Sequence, residues 1–416
     1  MPAGPALLAS LDEFTKRMYT SARTETVMNI THPILANIAP TGTEKLGGAG
    51  FYGNIRTRTH SGHAFIAENA SLPTGGITKG RQWVAMPTTQ VGVTEGSGLA
   101  MAMTSQDAAS FVRAYDENVD FMMQEMWTYR EGVALRDGSG LLATFVDDPA
   151  GSSTGPYILS DVGFLRPGML VDIIDDAATG TTRHHLRMGI EAVDWILKKV
   201  TFTSAISVNV GVGDRVFLSY TQADSGTLVN MEPVGLDGSV AETGTYLGID
   251  RSLEEGWRGS ILQADKFFDE DIFMRARTRV QQRTGRGVGS MGGFAALMHA
   301  QQLDVLFRLA MPRIQYTAGG PFNLGHNGQI SFGNMDSIWT SHDVPPATAW
   351  LGDFSKHKTV YAPGGELHID SEYNGSAMKW VSGKDNWLVF AKSYFTFINT
   401  SPHSFVKVTN LSLPSR

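Results

Sequence analysis

The chain contains no cysteine. Disulfides and thiolate-bound metal centres are therefore excluded, and the absence fits assembly in a reducing compartment such as the cytoplasm. Charge is also scarce. Asp, Glu, Lys and Arg make up 18% of the 416 residues, against roughly 25% in an average soluble domain, which points to extensive burial within the chain or between copies of it. There is no basic surplus: 34 Lys and Arg face 41 Asp and Glu, a net charge of −7, so the signature of a protein that grips nucleic acid tightly is missing. No run of 18 apolar residues occurs, and no membrane span is expected. Residues 1–10 lack a charged stretch leading into a long apolar one, so they do not read as a signal peptide. No G-x-S-x-G, Walker A, H-E-x-x-H or EF-hand pattern is found.

What is plentiful is glycine, 46 residues, which favours many turns over a helical bundle. A length of 416 residues allows two or three globular units. Residues 1–50 form an N-terminal arm. Positions 6–22 suit a short helix with Leu7, Leu8, Leu11, Phe14 and Met18 on one side, followed by a stretch broken by Pro33, Pro40 and Gly42. Residues 51–103 are rich in Gly and Thr with short β-like runs, the composition of an extended loop with little core of its own.

Residues 104–138 carry the clearest local signal. Phe111, Tyr115, Val119, Met122, Met126, Tyr129 and Val133 fall at spacings of 4, 4, 3, 4, 3 and 4, one continuous helical stripe. Thr104 and Ser105 offer N-cap oxygens, and Gly138 with Gly140 stops the helix. From Ser105 to Arg136 such a helix would be about 48 Å long at 1.5 Å per residue, and residues 104–156 read as this strut plus following strands. Residues 157–259 change to short β runs separated by turns, an inserted β domain of sandwich or barrel type. Residues 260–353 bring back helices: one over 265–283 with Phe268, Ile272, Ala276 and Val280 at i+4 spacing, a glycine-rich loop over 285–293, and a second helix over 294–311 stopped by Pro312. Residues 354–416 close the chain with strands, including 385–390 and 404–410 separated by Pro402, and a strand is also expected at 328–332.

Several patterns invite chemistry and are weak. Gly287 to Gly292 matches G-x-G-x-x-G, but a dinucleotide site needs a buried strand before it, and Val280 to Thr284 are polar and helical in character. His60 with His63, His184 with His185, and His368 with Asp370 could each suggest a metal. The first pair lies in a Gly/Thr-rich loop, the second is adjacent and would point opposite ways in a strand, and the third lacks a third ligand. Asp147-Asp148 and Asp175-Asp176 sit in loops, and Asp269-Glu270-Asp271 marks a helix start. Arg275, Arg277, Arg279, Arg283 and Arg286 form a basic cluster that could contact phosphate or an acidic neighbour, and they read first as a solvated helix face with intersubunit salt bridges. No catalytic, cofactor-binding or metal-binding residue is assigned, and no cofactor is expected.

The order of parts is more informative than any motif. An N-terminal arm, an extended loop, a long helix ending in Gly138-Ser139-Gly140-Leu141-Leu142-Ala143-Thr144, an inserted β domain, a helix–glycine loop–helix unit from Phe267-Phe268-Asp269-Glu270-Asp271 to Leu309, and closing strands with Leu351-Gly352-Asp353-Phe354 and Val406-Lys407-Val408-Thr409-Asn410-Leu411 follow one another. This arrangement resembles the tailed-phage major capsid proteins of the Hong Kong 97-like fold, over nearly the whole chain apart from 157–259. The resemblance implies an α+β fold with an extended E-loop (51–103), a spine helix (within 104–156), an inserted small β-barrel (157–259), an axial domain (260–353) and closing strands of the peripheral and axial domains (354–416).

The implied function is structural, not enzymatic. The chain would self-assemble into hexamers and pentamers of an icosahedral head enclosing double-stranded DNA. The implied location is the virion, assembled in the host cytoplasm. Implied partners are the chain itself, a separate scaffolding protein, a portal protein, a decoration protein, and packaged DNA held by non-specific contact; a mildly acidic wall suits that role because like charge keeps the polymer off it. Arg56, Arg58, Lys79, Arg81 and Trp83 are the candidate intersubunit contacts, since Trp and Arg are enriched at interface hot spots. Two alternatives stand beside this reading: an encapsulin-like nanocompartment shell, which shares the fold, and a soluble nucleotide-binding enzyme using the glycine-rich loop.

Overall fold

The structure is a computed structural model. It describes residues 33–413 except 39–45, 48–49, 59, 61, 69–70, 73, 77, 98–113, 149–152, 176–182, 207–208, 220–231, 288–290, 292, 311–336, 371–377 and 381–382. The expected helix at 6–22, the start of the 104–138 helix and the strand at 328–332 lie outside the described residues.

In chain order the main elements are β1 (Gly50–Arg56), β2 (Gly80–Ala85), β3 (Thr88–Ser97), α1 (Ala114–Leu135), β4 (Leu141–Thr144), β5 (Tyr157–Ile158), β6 (Leu170–Ile174), β7 (Arg183–Asp194), β8 (Lys199–Phe202) and β9 (Arg215–Leu218). There follow β10 (Ser260–Gln263), α2 (Glu270–Thr284), β11 (Phe294–Met298), α3 (Ala300–Ala310), β12 (Ser337–Thr340), β13 (Ala349–Asp353), β14 (His357–Tyr361), β15 (His368–Ile369), β16 (Met378–Trp380), β17 (Asn386–Asn399) and β18 (Phe405–Thr409). The chain divides into two compact units, one of residues 1–36, 88–234 and 361–395, the other of 37–87, 235–360 and 396–416.

In the first unit, α1 packs on β3. Gly92 makes the approach possible, because a Cβ there would meet Met126 Sδ at 2.5 Å. β3 pairs antiparallel with β17 in unbroken register from Thr88↔Phe395 to Ser97↔Asn386. The stripe expected of the helix is buried at Val119, Met126 and Val133. Two charged residues, Arg130 at the edge of that stripe and Glu131 on the other side of the helix, are fully buried. The Glu131 carboxylate accepts the Ile34 and Leu35 backbone N–H groups at 2.8 and 2.9 Å, capping the short helix Pro33–Asn37. Arg130 donates from Nε and Nη2 to Gln90 Oε1 and from Nη1 to the Tyr361 hydroxyl, and its guanidinium lies over the rings of Trp127 and Phe395. Just past the end of the helix, Arg136 pairs with Glu232 at 3.0 Å.

The same unit contains an antiparallel sheet in the order β4-β9-β6-β7-β8-β5. Its first and last strands are also joined, by Val146 N–H to Ile158 O (3.1 Å), Ser160 N–H to Thr144 O (2.9 Å) and a bridge between Phe145 and Leu159. The sheet therefore curls back on itself around Phe145, Leu159, Ile173, Phe202 and Val216. Alternation drives this, as in β8, where Val200 and Phe202 face inward and Lys199 and Thr201 do not.

In the second unit, a mixed sheet runs β10-β18-β13-β11-β12. The pairs β10/β18 and β11/β12 are parallel; the pairs β13/β18 and β11/β13 are antiparallel. α2 covers it with Ile272, Phe273, Ala276 and Val280 buried. Asp269 caps that helix by accepting the Ile272 N–H at 2.9 Å, and Gly285 ends it in the left-handed region at φ 64°.

The expected helix at 294–311 needs correction. Phe294–Met298 is a strand, buried at all five positions and paired on both sides, and the helix begins only at Ala300. A continuous apolar run of this length cannot reveal its period. His299 marks the change, its Nδ1 accepting the Gln301 N–H at 3.1 Å. The segment 157–259 is also not one unit in the contact pattern: the curled sheet recruits 141–144, and residues 235–259 belong with the second unit.

Candidate functional site

The candidate contact residues lie on and beside the hairpin β1–β2. Its register runs from Phe51↔Ala85 to Arg56↔Gly80. Alternation sends Phe51, Trp83 and Ala85 inward and leaves Tyr52, Asn54 and Arg56 outward, while Arg81, on the same face as Trp83, lies where burial has ended and is exposed. Gly53 faces Trp83 across the pair, and a Cβ at Gly53 would sit 2.2 Å from the indole, so the glycine is what lets the ring lie flat. The hairpin base is fixed by Val84 N–H to Leu247 O (3.1 Å) and by Arg81 Nε to Glu254 Oε1 (3.0 Å).

The structure treats the five candidates differently. Arg56, Arg58 and Lys79 are exposed at the point where regular pairing stops. There the Lys79 carbonyl accepts the N–H groups of Thr57 and Arg58 and the Thr57 hydroxyl, and Arg56 Nε donates to Arg58 O at 3.3 Å. Arg81 is exposed but already paired with Glu254. Trp83 is only 4% exposed and is held within its own chain.

Beyond this point the described residues between 60 and 78 form no strand or helix and are nearly all exposed, with Phe65, Ile66 and Leu72 among them. Sequence reasoning did not single these three out. The available signal was large apolar side chains in a stretch with neither period 2 nor period 3.6. Side chains of this kind gain roughly 1.5–3 kcal/mol each when removed from water.

A cavity of about 240 Å³ lies where the regular pairing of the hairpin stops, lined by Ile55, Arg56, Thr57, Glu254, Gly256, Trp257, Thr400 and His403. Burial pushes the His403 imidazole below its ordinary pKa, and Arg283 and Arg286 push the same way. Trp257 Nε1 is committed to Tyr246 O at 3.1 Å and Glu254 to Arg81.

The remaining sequence patterns are used locally. His60 Nδ1 takes the Gly62 N–H and His63 Nδ1 meets His60 O, so this pair shapes a turn. Asp370 pairs with Lys379 and Lys392 at 2.8 and 2.7 Å. Arg279 and Arg283 donate to the carbonyls of Ile261, Arg258 and Gly259. The glycine-rich loop, of which Val288, Gly289, Ser290 and Gly292 lie outside the described residues, is entered from helix α2 and left by strand β11. That is the reverse of the strand–loop–helix order that cradles a dinucleotide.

Comparison with solved structures supplies the wider context. A chain of the cyanophage A-1(L) capsid asymmetric unit matches with a TM-score of 0.57 and 8% identity, covering 94% of this chain and 96% of that one. Capsid chains of the empty and native GTA particles match with TM-scores of 0.51 and 0.50, each at 9% identity, covering 99% and 98% of this chain and 100% of theirs. The fold is that of phage capsid proteins. No protein-family model matches the chain, and no curated protein matches it in sequence. At identities this low the agreement lies in the architecture alone, over almost the full length of both chains. The capsid fold is an α+β fold, as expected from the order of parts, and no helix among the described residues is long and apolar enough to cross a membrane.

Proposed function

We propose that this chain is the major capsid protein of a tailed bacteriophage, a shell subunit with no enzymatic role. The observation that carries the reading is the near end-to-end fold match to capsid chains, 94% of one and 96% of the other in the best-scoring of the three comparisons. The hairpin β1–β2 and its exposed continuation act as the E-loop, α1 as the spine helix, and the curled six-stranded sheet as the inserted barrel. An arm whose apolar tip has no core of its own gains stability by lying across a neighbouring subunit. Arg56, Arg58, Lys79 and Arg81 make contacts there, while Trp83 holds the base of the arm rigid. Repetition of one such contact closes hexamers and pentamers into an icosahedral shell. A separate scaffolding protein guides closure in the host cytoplasm, and portal and decoration proteins complete the head. Packaged double-stranded DNA meets the wall by non-specific contact only.

The test is electron microscopy of particles from cells expressing the chain, alone and with candidate scaffolding proteins. Closed, uniform shells are expected. Their contents, nucleic acid or a cargo enzyme, separate a virus head from an encapsulin-like compartment. Small soluble oligomers under every condition would sink the proposal.

A further inference from the structure

The curled sheet of the first unit brings together three side chains that could ligate a metal ion. Asp175, His184 and Asp214 place one ligand atom each within 4.8 Å of one another. The topology explains the convergence. β9, β6 and β7 are consecutive neighbours in the sheet. Asp214 immediately precedes β9 and Asp175 immediately follows β6, and since Arg215 pairs with Ile174, the two carboxylates arrive at the same end of adjacent strands. His184 comes from the other side of β6. The register there jumps from Ile173↔His185 to Ile174↔Arg183, which leaves His184 as the extra residue of a bulge. Bulges re-aim side chains, and this one lets His184 turn toward the carboxylates, where regular alternation would send the adjacent pair His184 and His185 to opposite faces.

The resulting site has built geometry. His184 Nε2 lies 3.3 Å from Asp214 Oδ2, with both side chains largely buried at 11% and 5% exposure. Two donors bound at about 2.1 Å in a tetrahedral shell stand about 3.4 Å apart. Asp214 is held in place by the Gly211 N–H, which donates to Oδ2 at 2.9 Å. Asp175 is half-buried. One imidazole with two carboxylates is a donor set for a borderline divalent ion such as zinc, manganese or cobalt, rather than for calcium or magnesium, which take oxygen only. Three protein donors leave positions for water.

We infer that Asp175, His184 and Asp214 bind a divalent transition-metal ion that clamps three strands of the inserted sheet. Arg215 sits at the same end, its Nη2 on the Asp175 carbonyl oxygen at 2.7 Å, and its positive charge opposes a second cation. Affinity is therefore expected to be on the order of micromolar rather than nanomolar.

The test titrates Zn²⁺ into the purified full chain after chelator treatment and dialysis, read by calorimetry, with Co²⁺ absorbance as a second probe. One ion per chain is expected, with melting raised by a few degrees because only the folded state binds. His184→Gln and Asp214→Asn should each weaken binding at least about ten-fold, while His185→Gln should leave it unchanged. Should Asp214→Asn fail to fold, Asp175→Asn at the end of β6 serves in its place. Binding that survives both His184→Gln and the carboxylate substitution, absence of stoichiometric binding, or preference for Mg²⁺ over Zn²⁺ would each overturn the inference. The shell-forming proposal is untouched by any of these outcomes.

Discussion

Helix α1 and the β1–β2 arm use charge in opposite ways. On α1, Arg130 and Glu131 are completely buried, and each is matched by several fixed partners. Along the arm, Arg56, Arg58 and Lys79 are exposed, and among the described residues their one side-chain hydrogen bond runs from Arg56 Nε to the local carbonyl of Arg58. Removing a buried charge or its partners leaves polar groups with neither protein nor water to satisfy them, a penalty far above the worth of a surface ion pair. The first set of charges therefore specifies the fold of the subunit, and the second is left over for what lies outside it. A chain with only 18% charged residues divides them between these two tasks.

The comparison breaks most visibly at Glu131. Glu131→Ala takes the acceptor from two N–H groups of the helix at 33–37 and leaves them buried with a cavity in place of the carboxylate. A loss of about 3–5 kcal/mol is expected, measured by denaturant unfolding of the unassembled chain. Glu131→Gln keeps one acceptor oxygen and should cost less than half of that. An Ala variant close to wild type in stability would show that the buried charge does not specify the fold.

His357 sharpens the point, because it is buried without a countercharge. Its ring stacks on Phe397 at 5.9 Å, and neither ring nitrogen has a hydrogen-bond partner among the described residues. Burial lowers its pKa to about 4 from an ordinary 6.5. The folded chain thus holds a neutral ring where the unfolded chain would take up a proton. Stability is unaffected above about pH 6.5, falls as the pH drops toward 4, and levels off below, a total of about 3 kcal/mol. Comparing pH-dependent unfolding of wild type and His357→Phe tests this: the difference between the two curves should grow between about pH 6.5 and 4, and parallel curves would refute it.

A smaller effect is expected where helix meets strand. Gly92→Ala would bring a methyl group to 2.5 Å from Met126 Sδ and 2.9 Å from Met122 Cγ. Both neighbours are ends or near-ends of flexible side chains that can give way, so the cost should stay near ~1–2 kcal/mol. Gly53→Ala meets a rigid indole instead and should cost more than Gly92→Ala in a parallel thermal-unfolding series.

How much of this was legible in the sequence depends on whether neighbours along the chain or across it decide the outcome. The helical stripe at Val119, Met126 and Val133 and the glycine-rich stop from Gly285 are written in local spacing and were readable, and the acids at 269–271 marked a helix start, although the helix was expected from 265 and begins at Glu270 behind the Asp269 cap. Phe294 to Met298 was not, because five consecutive apolar residues fit a buried strand as well as a helix and only the sheet pairing decides. Arg130 borders the apolar stripe, four residues from Met126 and three from Val133, but charge and not period would place it in solvent, and Glu131 lies on the opposite side; Gln90, Tyr361 and the N–H groups of Ile34 and Leu35, tens to hundreds of residues away, bury both. The bulge at His184 likewise has no local signature. The candidate contacts show the same limit: Arg56, Arg58 and Lys79 are exposed as an outward loop residue should be, whereas Trp83 is turned inward by its pairing with Gly53.

The smallest effect on the subunit should be the largest on the shell. Replacing Arg56, Arg58 and Lys79 together by Ala removes three exposed cations, and the one side-chain hydrogen bond it breaks among the described residues is Arg56 Nε to Arg58 O at 3.3 Å, so unfolding of the free subunit should move by no more than about 0.5 kcal/mol. Particle yield in the assembly assay should nevertheless drop sharply, because each lost contact is repeated at every copy of the interface. The apolar tip provides a control of different chemistry: Phe65→Ser with Leu72→Ser should reduce assembly at all salt concentrations, whereas the defect of the triple charge variant should narrow as salt screens the wild-type contacts too. If the triple variant instead unfolds early and assembles normally, the exposed charges belong to the same task as Arg130 and Glu131, and the division of labour between helix and arm fails.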